Sequence, residues 1–227
     1  MNKAFIFIII FSFSSLSLLH SQDFEDDAAF WLTINLEKKI NDNFEIRLKQ
    51  RNRINNNFSE YGMGYLDIGA GYNFNSNIKL LCDYVYRKNR QLNGSYETEH
   101  RGYLALIIKK EINRFTVSYR NMVRFQLEKM YKGYENITPE FFDRNKLTVK
   151  YDITKRVASY VSGEIYVPFY GTKEVLLIDR FRTALGTTYK LTKKDDLDFY
   201  FMYQQRLNES RATRRDFIYG ITFTHQF

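Results

Sequence analysis

The sequence predicts an all-β fold, an antiparallel up-and-down barrel that crosses a membrane with about 10–12 strands. Three observations carry this. From Ala28 onward the chain alternates apolar and polar side chains in run after run, and a strand presents successive residues to opposite faces. Tyr and Phe number 18 and 20 while Pro numbers two, a balance that favours strands over helices and disorder. The mean hydropathy is polar, which suits a barrel in which only alternate residues meet lipid and does not suit a bundle of membrane helices.

The first element is not part of the barrel. Lys3 supplies a short positive region, Ala4 to Leu19 is apolar and Ser-rich, and Leu19-His20-Ser21 ends on a small residue before Gln22. That is the layout of a cleavable secretory signal, so residues 1–21 are expected to be removed and 22–227 to form one domain. Loss of Lys3 takes the formal charge from +8 to near +7. An exported basic chain points to anionic lipid or anionic solutes as partners rather than nucleic acid. The single cysteine, Cys82, cannot close an internal disulfide.

Four strands alternate cleanly. In 44–53, Phe44, Ile46 and Leu48 oppose Glu45, Arg47, Lys49, Arg51 and Arg53. In 114–127, Phe115, Val117, Tyr119, Val123 and Phe125 oppose Thr116, Ser118, Arg120 and Arg124. In 144–152, Leu147, Val149 and Tyr151 oppose Lys146, Thr148 and Lys150. In 197–206, Leu197, Phe199, Phe201 and Tyr203 oppose Asp198, Tyr200, Gln204 and Arg206. Seven further strands are read at 30–39, 61–74, 78–90, 98–110, 157–168, 179–191 and 215–227. Leu104 to Ile108 is apolar on both faces, and its neighbours assign it to a strand. Short turns are expected near 41–43, 75–77, 111–113, 154–155 and 193–195. Longer loops are expected near 54–60, 91–97, 128–142, 169–178 and 207–214. Short turns at the periplasmic end and long loops outside are the habit of outer-membrane barrels.

Eleven strands sit awkwardly with the even number usual in bacterial barrels. Either one strand is misread, or the first and last pair in parallel, or residues 22–29 add a strand. A fourth option has the acidic run Asp23, Glu25, Asp26 and Asp27 climb an arginine-rich lumen and be held there by charge. The plainer reading of 22–29 is a frayed terminus.

A soluble barrel alternates too, but it turns its apolar side chains inward. Here the polar faces are densely charged, and the apolar faces are crowded with Phe and Tyr, as aromatic girdles at two lipid–water interfaces require. The chain ends on Tyr219, Ile221, Phe223, His225 and Phe227, every second residue, with Phe last. This looks like the terminal-strand signature read by the barrel assembly machinery, with His225 as the departure.

The whole of 22–227 resembles the outer-membrane family catalogued as domain of unknown function 2490. The residues that carry the resemblance are Phe30-Trp31-Leu32-Thr33, Asn41-Asp42-Asn43, Arg47 through Arg53, Asp179-Arg180-Phe181-Arg182, Tyr189 through Lys194 and Leu197 through Gln204. The resemblance implies a barrel and an outer-membrane address, and no activity.

Motifs for hydrolysis, phosphate binding or zinc are absent from the sequence, so no catalytic residue, metal or cofactor is expected. The chemical feature is the lumen. Its expected basic residues are Arg47, Lys49, Arg51, Arg53, Arg120, Arg124, Arg180, Arg182 and Arg206. Its expected acidic residues are Glu45, Asp67, Asp83, Glu164 and Asp198, with Glu99 on the same faces. Cross-strand arginine–carboxylate pairs follow, because an unpaired charge inside a narrow barrel is costly. Two outcomes stay open: a salt-bridged wall without chemistry, or a narrow passive pore that favours anions. A lipid-modifying enzyme using His100 beside Ser95 or Ser118, and a soluble periplasmic binding barrel, are the alternatives. Lys129, Lys132, Arg211, Arg214 and Arg215 are candidates for gripping lipopolysaccharide phosphates from the outer rim.

Overall fold

The computed structural model describes residues 24–91, 93–128, 140–170, 178–207 and 213–227. The proposed signal segment lies outside these residues. Among the described residues eleven strands close into one barrel in chain order. They are β1 (Phe24–Lys39), β2 (Phe44–Asn55), β3 (Glu60–Asn73), β4 (Ile78–Arg90), β5 (Tyr96–Ile112), β6 (Phe115–Glu128), β7 (Glu140–Asp152), β8 (Val157–Tyr170), β9 (Arg180–Lys190), β10 (Asp195–Arg206) and β11 (Thr213–Gln226). Sequential neighbours pair antiparallel, while β1 and β11 pair in parallel from Phe24↔Thr213 to Glu37↔Gln226. An odd number of alternating strands leaves the first and last pointing the same way, so a parallel seam is the only closure available.

The acidic N-terminal run is therefore wall, which corrects both the frayed-terminus and the plug expectations for residues 24–29. Charge does hold it, through the neighbouring last strand rather than across the lumen. Asp26 accepts two hydrogen bonds from Arg215, at 2.6 and 2.7 Å, and Asp27 accepts one from Arg214 at 2.6 Å. The seam thus engages Arg214 and Arg215, two of the residues considered for lipopolysaccharide. Lys129, Lys132 and Arg211 lie outside the described residues.

The expected long connection at 54–60 is a tight turn. Asn56, Asn57 and Phe58 all adopt positive φ (54°, 52° and 65°), a region in which Asn is several-fold enriched. The turn folds onto β1, where the Asn57 amide donates to Asp27 Oδ1 (2.9 Å) and the Phe58 ring meets Tyr219 (6.0 Å). The 91–97 connection is also short, with Gly94 at φ 81°. Asn113 (φ 55°) turns the two-residue hairpin between β5 and β6.

The barrel is inside-out relative to a water-soluble one. Phe115, Phe125, Phe199 and Phe201 face outward at 48, 42, 48 and 40 % exposure, whereas Glu45, Asp67, Asp83, Glu99 and Glu164 are buried. Outer-face aromatics pair in two belts. At one end lie Phe125–Phe141–Phe169, Phe181–Tyr203–Phe217 and Tyr61–Tyr96. At the short-turn end lie Tyr72–Phe74, Phe115–Tyr151 and His225–Phe227. Leu and Ile dominate the surface between them. Polar exceptions are self-satisfied: Asp143 accepts from Asn121 and Asn145, both at 2.7 Å, and Tyr119 donates to Asn145 (2.5 Å). The doubly apolar stretch of β5 is a strand because its inward Ala105 joins Leu81 and Met122 in a small buried cluster, while Leu104 and Leu106 face out.

Large inward side chains are accommodated by glycines one strand away. Tyr160↔Gly186↔Tyr200↔Gly220↔Trp31 runs around the wall in register, aromatic alternating with glycine. A Cβ on Gly186 would overlap the Tyr160 ring, and one on Gly220 the Tyr200 ring. The same device lets Arg47 cross β3. Arg47↔Gly69↔Asp83 share a row, and the Asp83 carboxylate, bonded to Arg47, occupies the space where a Gly69 side chain would stand.

Candidate functional site

The inward residues of nine strands, β2 to β10, with Asp179 added from the loop before β9, enclose a cavity of about 660 Å³. All nine basic residues expected in the lumen line it: Arg47, Lys49, Arg51, Arg53, Arg120, Arg124, Arg180, Arg182 and Arg206. Arg87, Arg101 and Arg144 line it too. Sequence reading missed these three. The signal was available in their parity, since Arg87 shares a face with Asp83, Arg101 with Glu99 and Arg144 with Lys146. Against twelve basic residues, the acidic residues lining the cavity are Asp67, Asp83 and Asp179.

Most of the acidic groups are recessed in the wall and already bound. Glu164 receives Arg120 (2.7 Å), Arg144 (2.9 Å) and Arg182 (3.4 Å). Glu99 takes Arg87 and, at 3.0 Å, Arg101. Glu45 binds Lys79 at 2.5 Å. Asp67 lies 3.7 Å from Lys49 and accepts the Tyr103 hydroxyl at 2.8 Å. Asp198 departs from the expected arginine pairing: it accepts from Tyr160 and Thr188, both at 3.0 Å.

Aromatic rings hold the arginines in place. Arg53 lies 3.7 Å above Trp31, and Arg51 and Arg182 approach the same ring at 5.3 and 5.6 Å. Arg144, Arg182 and Arg180 surround Tyr166 at 4.4, 4.8 and 5.3 Å, and Arg124 covers Phe142 at 4.3 Å. Arginine over an aromatic face is favourable and leaves the edge N–H groups free for other acceptors. Arg53 and Arg124 differ from the rest in that, among the described residues, neither has a hydrogen bond or an ion pair; the buried Nε without an acceptor is common to most of the lining arginines.

The cavity continues toward the long-loop end. A vestibule of about 800 Å³ shares Arg53, Met63, Asn89, Arg180 and Arg206 with it. Cavities at the short-turn end, about 340 and 610 Å³, share no lining residue with the central one. Tyr160 and Tyr200 stand on the wall between.

His100 faces outward against Tyr84, which bonds its Nδ1, and Tyr86. Ser118 is on the inward face of β6, and Ser95 caps a turn through Asn93 (2.7 Å). The pairings considered for hydrolysis are therefore not assembled. Among the described residues no group of three or more His, Cys, Asp or Glu side chains converges to hold a metal. At the chain end, Tyr219, Ile221 and Phe223 share the outer face of β11, and Phe227 follows its last residue. His225 bonds Asp195 at 2.6 Å, and the Phe227 amide donates to Glu37 at 2.9 Å.

Comparison with solved structures gives the fold a wider setting. A NanC porin in a rhombohedral crystal form is similar at TM-score 0.56 with 10% identity, over 88% of this chain and 99% of that one. The β domain of the Bordetella autotransporter BrkA matches at TM-score 0.45 with 12% identity, over 83% and 86%. No curated protein matches the sequence. The family model described as "Protein of unknown function (DUF2490)" matches residues 28–215, and the chain belongs to that family.

Proposed function

We propose that this chain is exported and inserted in an outer membrane, where it forms a narrow passive pore that favours anions. The observation that carries the reading is the cavity lining, in which twelve basic side chains face three acidic ones. A ring of fixed cations lowers the energy of an entering anion and raises that of a cation. The outward Phe, Leu and Ile surface between two aromatic belts supports the membrane setting, since such a band is the mark of a lipid-facing barrel wall. The likeness to a porin supports the architecture. The short-turn end, where the chain terminates, then lies on the periplasmic side.

A second reading, a sealed barrel with a purely structural wall, is favoured by the separate linings of the short-turn cavities and by the tyrosines between them. One experiment divides the two. The exported chain is reconstituted in a planar lipid bilayer, and the reversal potential is measured across a potassium chloride gradient. A steady conductance with chloride more permeant than potassium is expected. A cation preference refutes the pore reading, and a silent barrel leaves the sealed one.

A further inference from the structure

We infer that the central cavity contains a binding site for a compact oxyanion with two or more charged groups, bridged by Arg53 and Arg124. The inference rests on the anion-accessible interior proposed above and adds a ligand class to it.

Eleven of the twelve lining cations are arginines, and nine of those contact a carboxylate, several sharing one, or, for Arg51, are held by a hydrogen bond to Thr33 at 2.7 Å. Arg53 and Arg124 remain. Each guanidinium lies over a ring, Trp31 at 3.7 Å or Phe142 at 4.3 Å, and its N–H groups have no hydrogen-bond acceptor among the described residues. A buried donor without an acceptor in a finished wall calls for a partner. The edge of a guanidinium offers paired N–H groups whose spacing fits two oxygens of one phosphate or carboxylate.

The placement of the two sets the valence. Arg53 is on β2 and Arg124 on β6, four strands apart in a ring of eleven. They line one cavity from separate walls. Two donor groups on separate walls of one cavity are matched by a molecule that carries two oxyanion groups. The other arginines lining the same cavity surround them with like charge, which strengthens the demand. Phosphate and carboxylate satisfy the geometry alike, so the test carries both.

Trp31 is the only tryptophan and lies beneath Arg53, so its emission reports binding even in a barrel that does not conduct. The exported chain in detergent is titrated with pyrophosphate and separately with citrate, with acetate at equal ionic strength as the monovalent control. A saturable change in Trp31 emission with pyrophosphate or citrate, absent with acetate, is expected. The tighter of the two identifies the headgroup. Arg53→Gln/Arg124→Gln should weaken binding at least about tenfold. Lys38→Gln/Lys110→Gln, which removes two exposed charges at the short-turn end, should not. No saturable response, or equal binding by the Arg53→Gln/Arg124→Gln chain, overturns the site. Chloride selectivity in the bilayer without pyrophosphate or citrate binding overturns it while leaving the pore. Binding in a silent barrel upholds the site and removes the pore.

Discussion

Glu164 is the residue on which the interior charge balance turns. The residue is 7 % exposed. One oxygen accepts from Arg120 and Arg144 at 2.7 and 2.9 Å, and the other from Tyr166 at 3.2 Å and Arg182 at 3.4 Å. Glu164→Ala removes the anion and leaves three guanidiniums facing one another. Breaking a buried ion pair by deleting one partner costs about 3–5 kcal/mol. Arg120 keeps 28 % of its side chain exposed and can turn toward cavity water, so the lower figure, about 3 kcal/mol, is the expectation. Urea unfolding of the barrel in lipid vesicles, followed by Trp31 emission, reads it out. With a slope of about 3 kcal/mol/M the midpoint should fall by about 1 M. Glu164→Gln keeps an acceptor for the arginines and should lose about half as much. Both variants should also shift the reversal potential toward chloride, because one fixed negative charge leaves the lumen. Stability and anion preference therefore move in opposite directions. Midpoints for both variants within about 0.2 M of the parent would refute the reasoning, since the slope converts that to well under 1 kcal/mol.

Three further outcomes are expected. Phe199→Arg puts a charge on the outer face and should cost about 2–4 kcal/mol in vesicles if that site is near the bilayer midplane, with little loss if the face meets water; the vesicle unfolding midpoint decides. Gly220→Ala drives a methyl into the Tyr200 ring and should cost about 1–3 kcal/mol, largely recovered in Gly220→Ala/Tyr200→Ala. Phe227→Ala removes a ring that is 61 % exposed, so refolded stability should change by less than about 0.5 kcal/mol. Its yield in the outer membrane of expressing cells should nonetheless fall severalfold, and an undiminished yield would remove Phe227 from any assembly signature.

Period-two alternation made the strand number legible. In β2 and β10 one face is charged and the other apolar, and eleven strands follow from the sequence as they do in the structure. The start of β1 was not legible because Glu25 to Asp27 is acidic on both faces. Its complement, Arg214-Arg215, is carried some 190 residues away on the other strand of the seam, and a local pattern cannot name a partner at that separation. The connection at 54–60 looked like a loop because Asn-rich segments are turn formers, but nothing local revealed that three consecutive residues take positive φ and fold back on β1. In the lumen, charge and parity identified nine cavity-lining cations. The rings beneath them are set by cross-strand register: Tyr65 lies between Arg51 and Arg87, Tyr166 between Arg144 and Arg180, and Trp31 beside Gly220, and a local pattern does not show those neighbours.

The parallel seam explains why the odd strand number is not a weakness. Fourteen residue pairs join β1 to β11, as long a ladder as any antiparallel neighbour pair in the wall. A slip of one residue would turn every side chain of β1 to the opposite face. Trp31 would leave the lumen, and Arg53 would lose the ring beneath it. Three features oppose that slip. Phe30, Leu32 and Ile34 align outward with Tyr219, Ile221 and Phe223, so the alternation of the last strand matches that of the first. At the long-loop end the Asp26–Arg215 and Asp27–Arg214 contacts hold one end of the register. At the other, the Phe227 amide donates to the Glu37 carbonyl. The Tyr219–Phe227 periodicity therefore fixes where β1 must lie, and through Trp31 it fixes the height at which Arg53 meets the cavity. The closing strand and the arginine lining are one register problem solved together.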